Sequence, residues 1–169
     1  LSIRPDLNIE MLRGNIDTRL KKLDNSNWDG IITAAAAMHR LELKNRISEY
    51  LDVKDFVPAA CQGALGIEIK SDDKSIAPIL NRIINKDVTT CCKAERLFLS
   101  KMQGGCMMPI GCLAHINTNQ EFTLTGYIAS TDGSKSLKKV IAGQIEFYEK
   151  LVLELSNYML QNGAEGIIG

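Results

Sequence analysis

The sequence predicts an α/β region followed by a small α+β domain. The first part of the chain alternates short apolar segments with a segment of helical spacing, the order expected of strands and helices in a parallel α/β unit. The last part contains three alternating segments and then a long amphipathic one, which is typical of an antiparallel sheet packed on helices. The 169 residues are 45% hydrophobic and 24% charged, as expected for a globular protein.

In the α/β region, the predicted elements run from strand to helix to strand. Residues 7–12 alternate as in a strand, and residues 15–23 carry apolar side chains at helical spacing. Residues 31–38 begin with two isoleucines after a glycine, which favours a strand buried on both faces of a parallel sheet. A further strand is predicted at 64–70, and a helix at about 71–83 contains a proline that is expected to kink or shift it.

The α+β domain is expected to begin with a helix over residues 87–102 that ends at a pair of glycines. Three strands and a closing helix follow it. A Thr-Asp-Gly-Ser tetrapeptide supplies the turn between the last two strands. The strands are predicted at 112–116, 122–129 and 136–144, and the closing helix from Phe147 to Met159 with its end near Gly163.

The charge balance and the residue counts argue against several classes of protein. Twenty basic residues offset twenty acidic ones, so no global positive field favours nucleic acid. The longest apolar run, at 31–38, is far shorter than the ~20 residues that span a bilayer. Five cysteines without Cys-x-x-Cys spacing and two histidines support neither a disulfide framework nor a zinc site. We therefore expect a protein of the reducing cytoplasm that binds neither nucleic acid nor a membrane.

A cysteine framed by glycines is the first candidate for chemistry. Cys106 follows Gly104 and Gly105, and Pro109 prevents a helix from continuing, so the thiol is expected on a constrained loop. The competing interpretation is that Cys106 is a small buried hydrophobic residue, as free cysteines often are.

Two arginines flank the first predicted strand-to-helix turn. Arg13 and Arg19 could both face one anion there, because a helix N-terminus presents unpaired N–H groups and arginine pairs with carboxylates through two parallel hydrogen bonds. The alternative is that both are solvated surface residues. Arg40 and Gln62 are weaker candidates on the residues alone.

The segment around Cys106 resembles the cofactor-attachment signature of the porphobilinogen deaminases, also called hydroxymethylbilane synthases. That signature consists of Glu-Arg, a spaced apolar pair, Gly-Gly-Cys, one residue, a β-branched residue, Pro, an aliphatic residue and Gly. Met108 departs from it by replacing the β-branched residue, and its flexible side chain can fill the same apolar space. Three earlier segments, at 12–20, 38–41 and 58–68, are similar to the same family in the same order.

The resemblance implies an enzyme that polymerises four porphobilinogen units, with release of ammonia, into a linear tetrapyrrole of haem biosynthesis. It implies a covalently attached dipyrromethane cofactor, held by Cys106 through a thioether and extended as a primer. It also implies that Arg13, Arg19 and Arg40 bind carboxylates of the cofactor, of porphobilinogen or of the growing chain. Gln62 is expected to contact the cofactor as well.

The resemblance further implies an incomplete enzyme. The chain starts at Leu1 and is similar only to the later part of a deaminase, so the family's catalytic aspartate is expected upstream. Residues 1–57 are then the remainder of a second domain, 58–81 cross over and return to the first, and 82–169 form the third. The first two domains resemble the paired parallel α/β domains of periplasmic binding proteins. The full-length enzyme is expected to be a cytoplasmic monomer, in which the missing N-terminal part is the partner of this chain.

Two other functions stay open. A non-enzymatic anion-binding module of the periplasmic-binding-protein type would account for Arg13 and Arg19 but not for the cysteine loop. A cysteine hydrolase would need a histidine beside Cys106, and neither His39 nor His115 is adjacent to it in sequence.

Overall fold

The computed structural model describes residues 1–102 and 108–168, which form a mixed α/β fold with one three-stranded antiparallel sheet. Short 3₁₀ turns stand at Lys44–Arg46 and Ile145–Phe147. The remaining elements are α1 (Ile16–Asp24), α2 (Ala35–Arg40), α3 (Ala77–Leu80), α4 (Lys86–Lys101), β1 (Ile110–Ile116), β2 (Glu121–Ala129), β3 (Ser136–Gln144), α5 (Tyr148–Gln161) and α6 (Ala164–Ile168).

The hydrophobic core lies between the sheet and helices α4 and α5. The strand order is β1-β2-β3, and alternate residues of the central strand β2 point into the core, where Phe122, Leu124 and Ile128 are fully buried. Phe98 from α4 and Met159 from α5 meet them from the helical side. This packing confirms the predicted antiparallel sheet covered by helices.

The sequence predicted the elements of this α+β part well, because their signals are local. Asn85 caps α4 by accepting a hydrogen bond from the Val88 N–H at 3.1 Å. α5 ends at Gln161, two residues before Gly163, which has a φ of +88°, so the predicted helix end near Gly163 is confirmed. β1 begins at Ile110, two residues before the predicted start at 112, and α6 was not predicted.

The predicted strands at 7–12, 31–38 and 64–70 are wrong, since these segments contain no strand. A strand exists only when a neighbouring segment satisfies its backbone groups, and the described residues offer these segments no such neighbour. The alanines of the second segment form α2 instead, in line with their helix propensity. The helix expected at 71–83 is reduced to the single turn α3, with a proline in its first turn.

Burial differs sharply between the two parts of the chain. Among the described residues before 94, the buried hydrophobic side chains are Leu20 and Met38 alone. Large apolar residues there are mostly exposed, among them Met11, Ile32 and Leu65 at 73%, 73% and 77%. The first part of the chain therefore has almost no core of its own.

Candidate functional site

A cavity of about 620 Å³ lies beside the N-terminus of α1. Its volume falls in the range of small-molecule sites, about 300–1,000 Å³. The residues that line it come from the turn before α1, from the segment leading into α2 and from the crossover segment: Gly14, Asn15, Ile16, Arg19, Ile32, Thr33, Ala34, Ala37 and Gln62.

The start of α1 presents backbone N–H donors beside the cavity. Asn15 caps the helix by accepting a hydrogen bond from the Thr18 N–H at 2.9 Å, which leaves the N–H groups of the two preceding helical residues without a cap. Gly14 makes the turn with a φ of +127°, and a Cβ added there would lie 2.9 Å from Cγ2 of Thr18. The turn thus requires glycine, and the uncapped N–H groups favour an anion.

Arg19 and Gln62 add side-chain donors to the same cavity. Arg19 is half-buried, and its Nε donates a hydrogen bond to the Gly14 carbonyl oxygen at 2.7 Å, which fixes the guanidinium at the turn. Within residues 1–102 and 108–168, the two terminal nitrogens of Arg19 and the side-chain amide of Gln62 make no hydrogen bond. The structure therefore brings together two of the residues predicted for the site, with donors that a carboxylate could accept.

Arg13 and Arg40 do not line this cavity. Arg13 lies just before the turn, where its carbonyl oxygen accepts a hydrogen bond from Nζ of Lys22 at 3.1 Å. Arg40 ends α2. Both side chains are exposed and make neither a hydrogen bond nor an ion pair within the described parts of the chain. Their predicted role in carboxylate binding stays a prediction.

Cys106, with Gly104 and Gly105, lies outside the described residues. The structure does describe the residues on both sides of that segment. On one side α4 ends at Lys101 and Met102 is buried, and on the other Met108 packs against the core just before β1 begins. The packing of Met108 agrees with its interpretation as an apolar substitute within the signature.

A buried glutamate at the centre of α4 was not assigned a role from the sequence. Glu95 is 5% exposed, and its Oε1 accepts a hydrogen bond from the Ala114 N–H of β1 at 2.8 Å. Its Oε2 accepts another from the Cys61 N–H at 2.5 Å. Burial raises the pKa of this carboxyl, while the two hydrogen bonds oppose the shift. In the sequence, the available sign of this buried role was a charged residue at a position where the helical spacing of α4 predicts an apolar one.

Glu95 is part of a contact between the crossover segment and the sheet. Beside it, the Cys112 N–H donates to the Pro58 carbonyl oxygen at 2.8 Å. Gly111 lies so close to the residue before this segment that an added Cβ would be 2.7 Å from the Val57 carbonyl oxygen. Gln62, which lines the cavity, directly follows Cys61, whose N–H is bound by Glu95.

The two histidines occupy separate environments. His39 shares a hydrogen bond of 2.7 Å between its Nε2 and the hydroxyl of Tyr50, and His115 lies exposed on β1. No group of three or more His, Cys, Asp or Glu side chains in the described residues could hold a metal ion. No helix within the described ranges is long and apolar enough to cross a bilayer.

Comparison with known proteins assigns the chain to one family. Residues 1–78 match the family model described as "Porphobilinogen deaminase, dipyromethane cofactor binding domain", and residues 89–161 match "Porphobilinogen deaminase, C-terminal domain".

Curated relatives named porphobilinogen deaminase match along almost the whole chain. Identity is 41% over 168 residues with the protein of Brevibacillus brevis, covering 99% of this chain and 54% of that one. It is 44% over 169 residues with the protein of Staphylococcus epidermidis, again covering 99% and 54%. The chain spans about half the length of the curated relatives it matches. Two consecutive domain models and these relatives agree, and the chain belongs to the porphobilinogen deaminase family.

Proposed function

We propose that the full-length protein is a hydroxymethylbilane synthase, a transferase that joins four porphobilinogen units and releases ammonia. The observation that carries this proposal is the match of both domain models in their order along the chain, together with a donor-lined cavity inside the first of them. The alternative of a non-enzymatic anion-binding module would leave the matched C-terminal domain without a role.

The residues of the cavity fit a dipyrromethane, the cofactor named for the matched domain. Its carboxylate side chains could accept hydrogen bonds from the terminal nitrogens of Arg19, from the Gln62 amide and from the first N–H groups of α1. When bound, the dipyrromethane supplies the primer to which pyrrole units are added. We propose that Cys106 holds it through a thioether, which makes this sulfur an anchor.

Arg13 and Arg40 are proposed to bind carboxylates of porphobilinogen and of the growing chain. Both guanidinium groups are exposed and without an ion-pair partner in the described residues, so they are accessible to such a ligand. Each charge-assisted hydrogen bond of this kind contributes about 1.5–3 kcal/mol in favourable settings. Lysine would not replace them, because it lacks the planar fork of arginine.

We also propose the domain division 1–57, 58–81 and 82–169, with the first two parts completing a periplasmic-binding-protein-like pair. The exposed apolar residues before position 94 and the half-length match support a further N-terminal portion that covers this surface. A catalytic carboxylate is expected from that portion, and we assign none in this chain. The complete enzyme is proposed to be a cytoplasmic monomer.

The experiment that tests the proposed site compares arginine variants in the full-length protein. Arg19→Ala should lower the rate of hydroxymethylbilane formation at least tenfold, since a tenfold loss corresponds to about 1.4 kcal/mol and one charge-assisted bond contributes more. Arg82→Ala is the matched control, because Arg82 is exposed and does not line the cavity. Equal rates for both variants, with unchanged thermal stability, would remove Arg19 from the site.

A further inference from the structure

A tight turn at residues 60–63 carries Gln62 into the lining of the cavity. The Gln62 N–H donates to the carbonyl oxygen of Ala59 at 3.1 Å. Cys61 has a φ of +61° and Gly63 a φ of +84°, so Gln62 lies between two residues in the left-handed region. A residue other than glycine seldom adopts this conformation, and it persists only where neighbouring groups enforce it. The place of Gln62 therefore depends on what holds Cys61.

Two contacts from α4 hold Cys61 in its left-handed conformation. The Cys61 N–H donates to Oε2 of Glu95 at 2.5 Å. The Cys61 Sγ donates to the carbonyl oxygen of Cys92 at 3.6 Å. The first bond is the stronger one, because a carboxylate is a charged acceptor whereas a thiol is a weak donor. Glu95 is therefore the main support of the turn.

The carboxyl group of Glu95 is itself fixed by strand β1. Its Oε1 accepts a hydrogen bond from the Ala114 N–H at 2.8 Å, and the residue is only 5% exposed. Beside it, the Cys112 N–H donates to the carbonyl oxygen of Pro58, just before the turn, at 2.8 Å. The turn is thus held from outside the cavity, by α4 and β1.

We propose that Glu95 is a positioning residue for ligand binding: it holds Cys61 and thereby keeps the Gln62 amide in the cavity that Arg19 also lines. The inference rests on the proposed function, in which Gln62 and Arg19 bind carboxylates of the dipyrromethane. Glu95 does not line the cavity, so its effect on the ligand passes through the turn. Loss of its bond to Cys61 should weaken binding while Arg19 stays in place.

Glu95→Gln separates the two hydrogen bonds of the carboxylate. Glutamine has one acceptor oxygen, so it can serve only one of the two N–H groups. The Ala114 N–H is buried, whereas the contact at Cys61 is only partly buried and open to water. An unpaired buried donor costs more than one that water can satisfy, so the oxygen should face Ala114. The variant therefore keeps the anchor on β1 and releases the turn.

Reversible binding of a dipyrromethane measures the effect on the cavity. The probe is a synthetic dipyrromethane with carboxylate side chains, titrated calorimetrically into full-length protein that carries Cys106→Ser and cannot form the thioether. Gln62→Ala should raise the Kd about tenfold, the loss expected for a hydrogen bond to a carboxylate. Glu95→Gln should raise it about threefold or more, because a released turn presents the amide correctly for only part of the time.

Two comparisons separate positioning from a general loss of stability. A variant that is merely less stable lowers the number of binding sites per chain and leaves their Kd unchanged. Gly126→Ala is the control of this kind, because its added Cβ would lie 2.8 Å from Cζ of Phe98 in the core. In a double-mutant cycle, Glu95→Gln should have no further effect on the Kd once Gln62→Ala is present, whereas independent effects would add.

Hydrogen–deuterium exchange of the full-length protein provides a test that needs no ligand. In Glu95→Gln the Cys61 amide should exchange faster than in the unaltered protein, while the Ala114 amide stays protected. Unchanged exchange at Cys61, or additive effects in the double-mutant cycle, would overturn the inference.

The binding results also distinguish this inference from the proposed site. A raised Kd for Gln62→Ala with an unchanged Kd for Glu95→Gln would overturn the inference alone. An unchanged Kd for Gln62→Ala would overturn it together with the proposed role of Gln62. If Arg19→Ala also leaves the Kd unchanged, the proposed site itself is wrong.

Discussion

Replacing Glu95 by glutamine tests whether a buried carboxylate fixes the crossover segment on the sheet. The carboxylate accepts two backbone hydrogen bonds, from the Ala114 N–H at 2.8 Å and from the Cys61 N–H at 2.5 Å. Glutamine has nearly the same shape but only one acceptor oxygen. In Glu95→Gln, one of the two N–H groups must therefore face an NH₂ group, which cannot accept its proton.

The expected loss follows from that unpaired donor. A buried donor left without a partner costs about 1–3 kcal/mol, and removal of a buried charge returns part of this amount. We expect the free energy of unfolding to fall by about 2 kcal/mol. With a urea slope of about 2 kcal/mol per M, the unfolding midpoint falls by about 1 M.

Urea unfolding followed by far-ultraviolet circular dichroism measures this loss. Glu154→Gln is the matched control, because Glu154 is exposed on α5 and the same change there should stay within about 0.5 kcal/mol. Equal urea midpoints for the two variants would refute the claim that the two hydrogen bonds of Glu95 stabilise the fold.

The pH dependence of the unfolding free energy provides a second test of Glu95→Gln. Burial raises the pKa of Glu95 above its ordinary value of 4.5, so the folded state keeps the proton to higher pH than the unfolded state does. The Glu95 contribution to stability is therefore complete below pH 4.5 and decreases as pH rises through the folded pKa. Glu95→Gln lacks this decrease, so the stability difference between the two proteins should narrow over that window. A difference that widens would contradict the direction of the shift.

Two further predictions concern the sheet and the turn between its last two strands. Gly126→Ala should lower the free energy of unfolding in urea by about 1–3 kcal/mol, because the new Cβ would lie 2.8 Å from Cζ of Phe98. Gly66→Ala is the control, because its new Cβ would have no atom within 4 Å and its stability should be nearly unchanged. Similar losses for both variants would contradict the packing of Gly126 against Phe98. Hydrogen bonds, first from the Ser130 hydroxyl, lower the pKa of Asp132 to about 2, so its contribution should be present above pH 3.8 and lost as pH falls toward 2. Asp132→Asn should remove this acid-dependent part of the curve of unfolding free energy against pH. An unchanged curve would contradict the predicted contribution of Asp132.

The sequence was sufficient for the elements whose signals are local. α1 and α4 were predicted from helical spacing, and in the structure each begins after an asparagine whose side chain caps it. The three strands of the α+β domain pair with neighbours close in sequence, so alternation alone located them.

The errors lie where structure depends on residues far apart. The segments at 7–12 and 64–70 have strand-like alternation, yet alternation supplies no hydrogen-bonding partner. In the candidate site, Arg19 and Gln62 meet only because the crossover segment returns to the start of α1. Glu95 was missed as a contact residue for the same reason, since its two partners are 34 and 19 residues away.

The denatured intact mass of the full-length protein tests the central claim most directly. The account predicts a polypeptide about twice as long as this chain, with a mass excess of one dipyrromethane that a peptide map places on Cys106. Cys106→Ser should abolish the excess while leaving the polypeptide mass otherwise unchanged. A full-length protein whose Cys106 is unmodified in every preparation, or a Ser variant that is loaded normally and fully active, would contradict it.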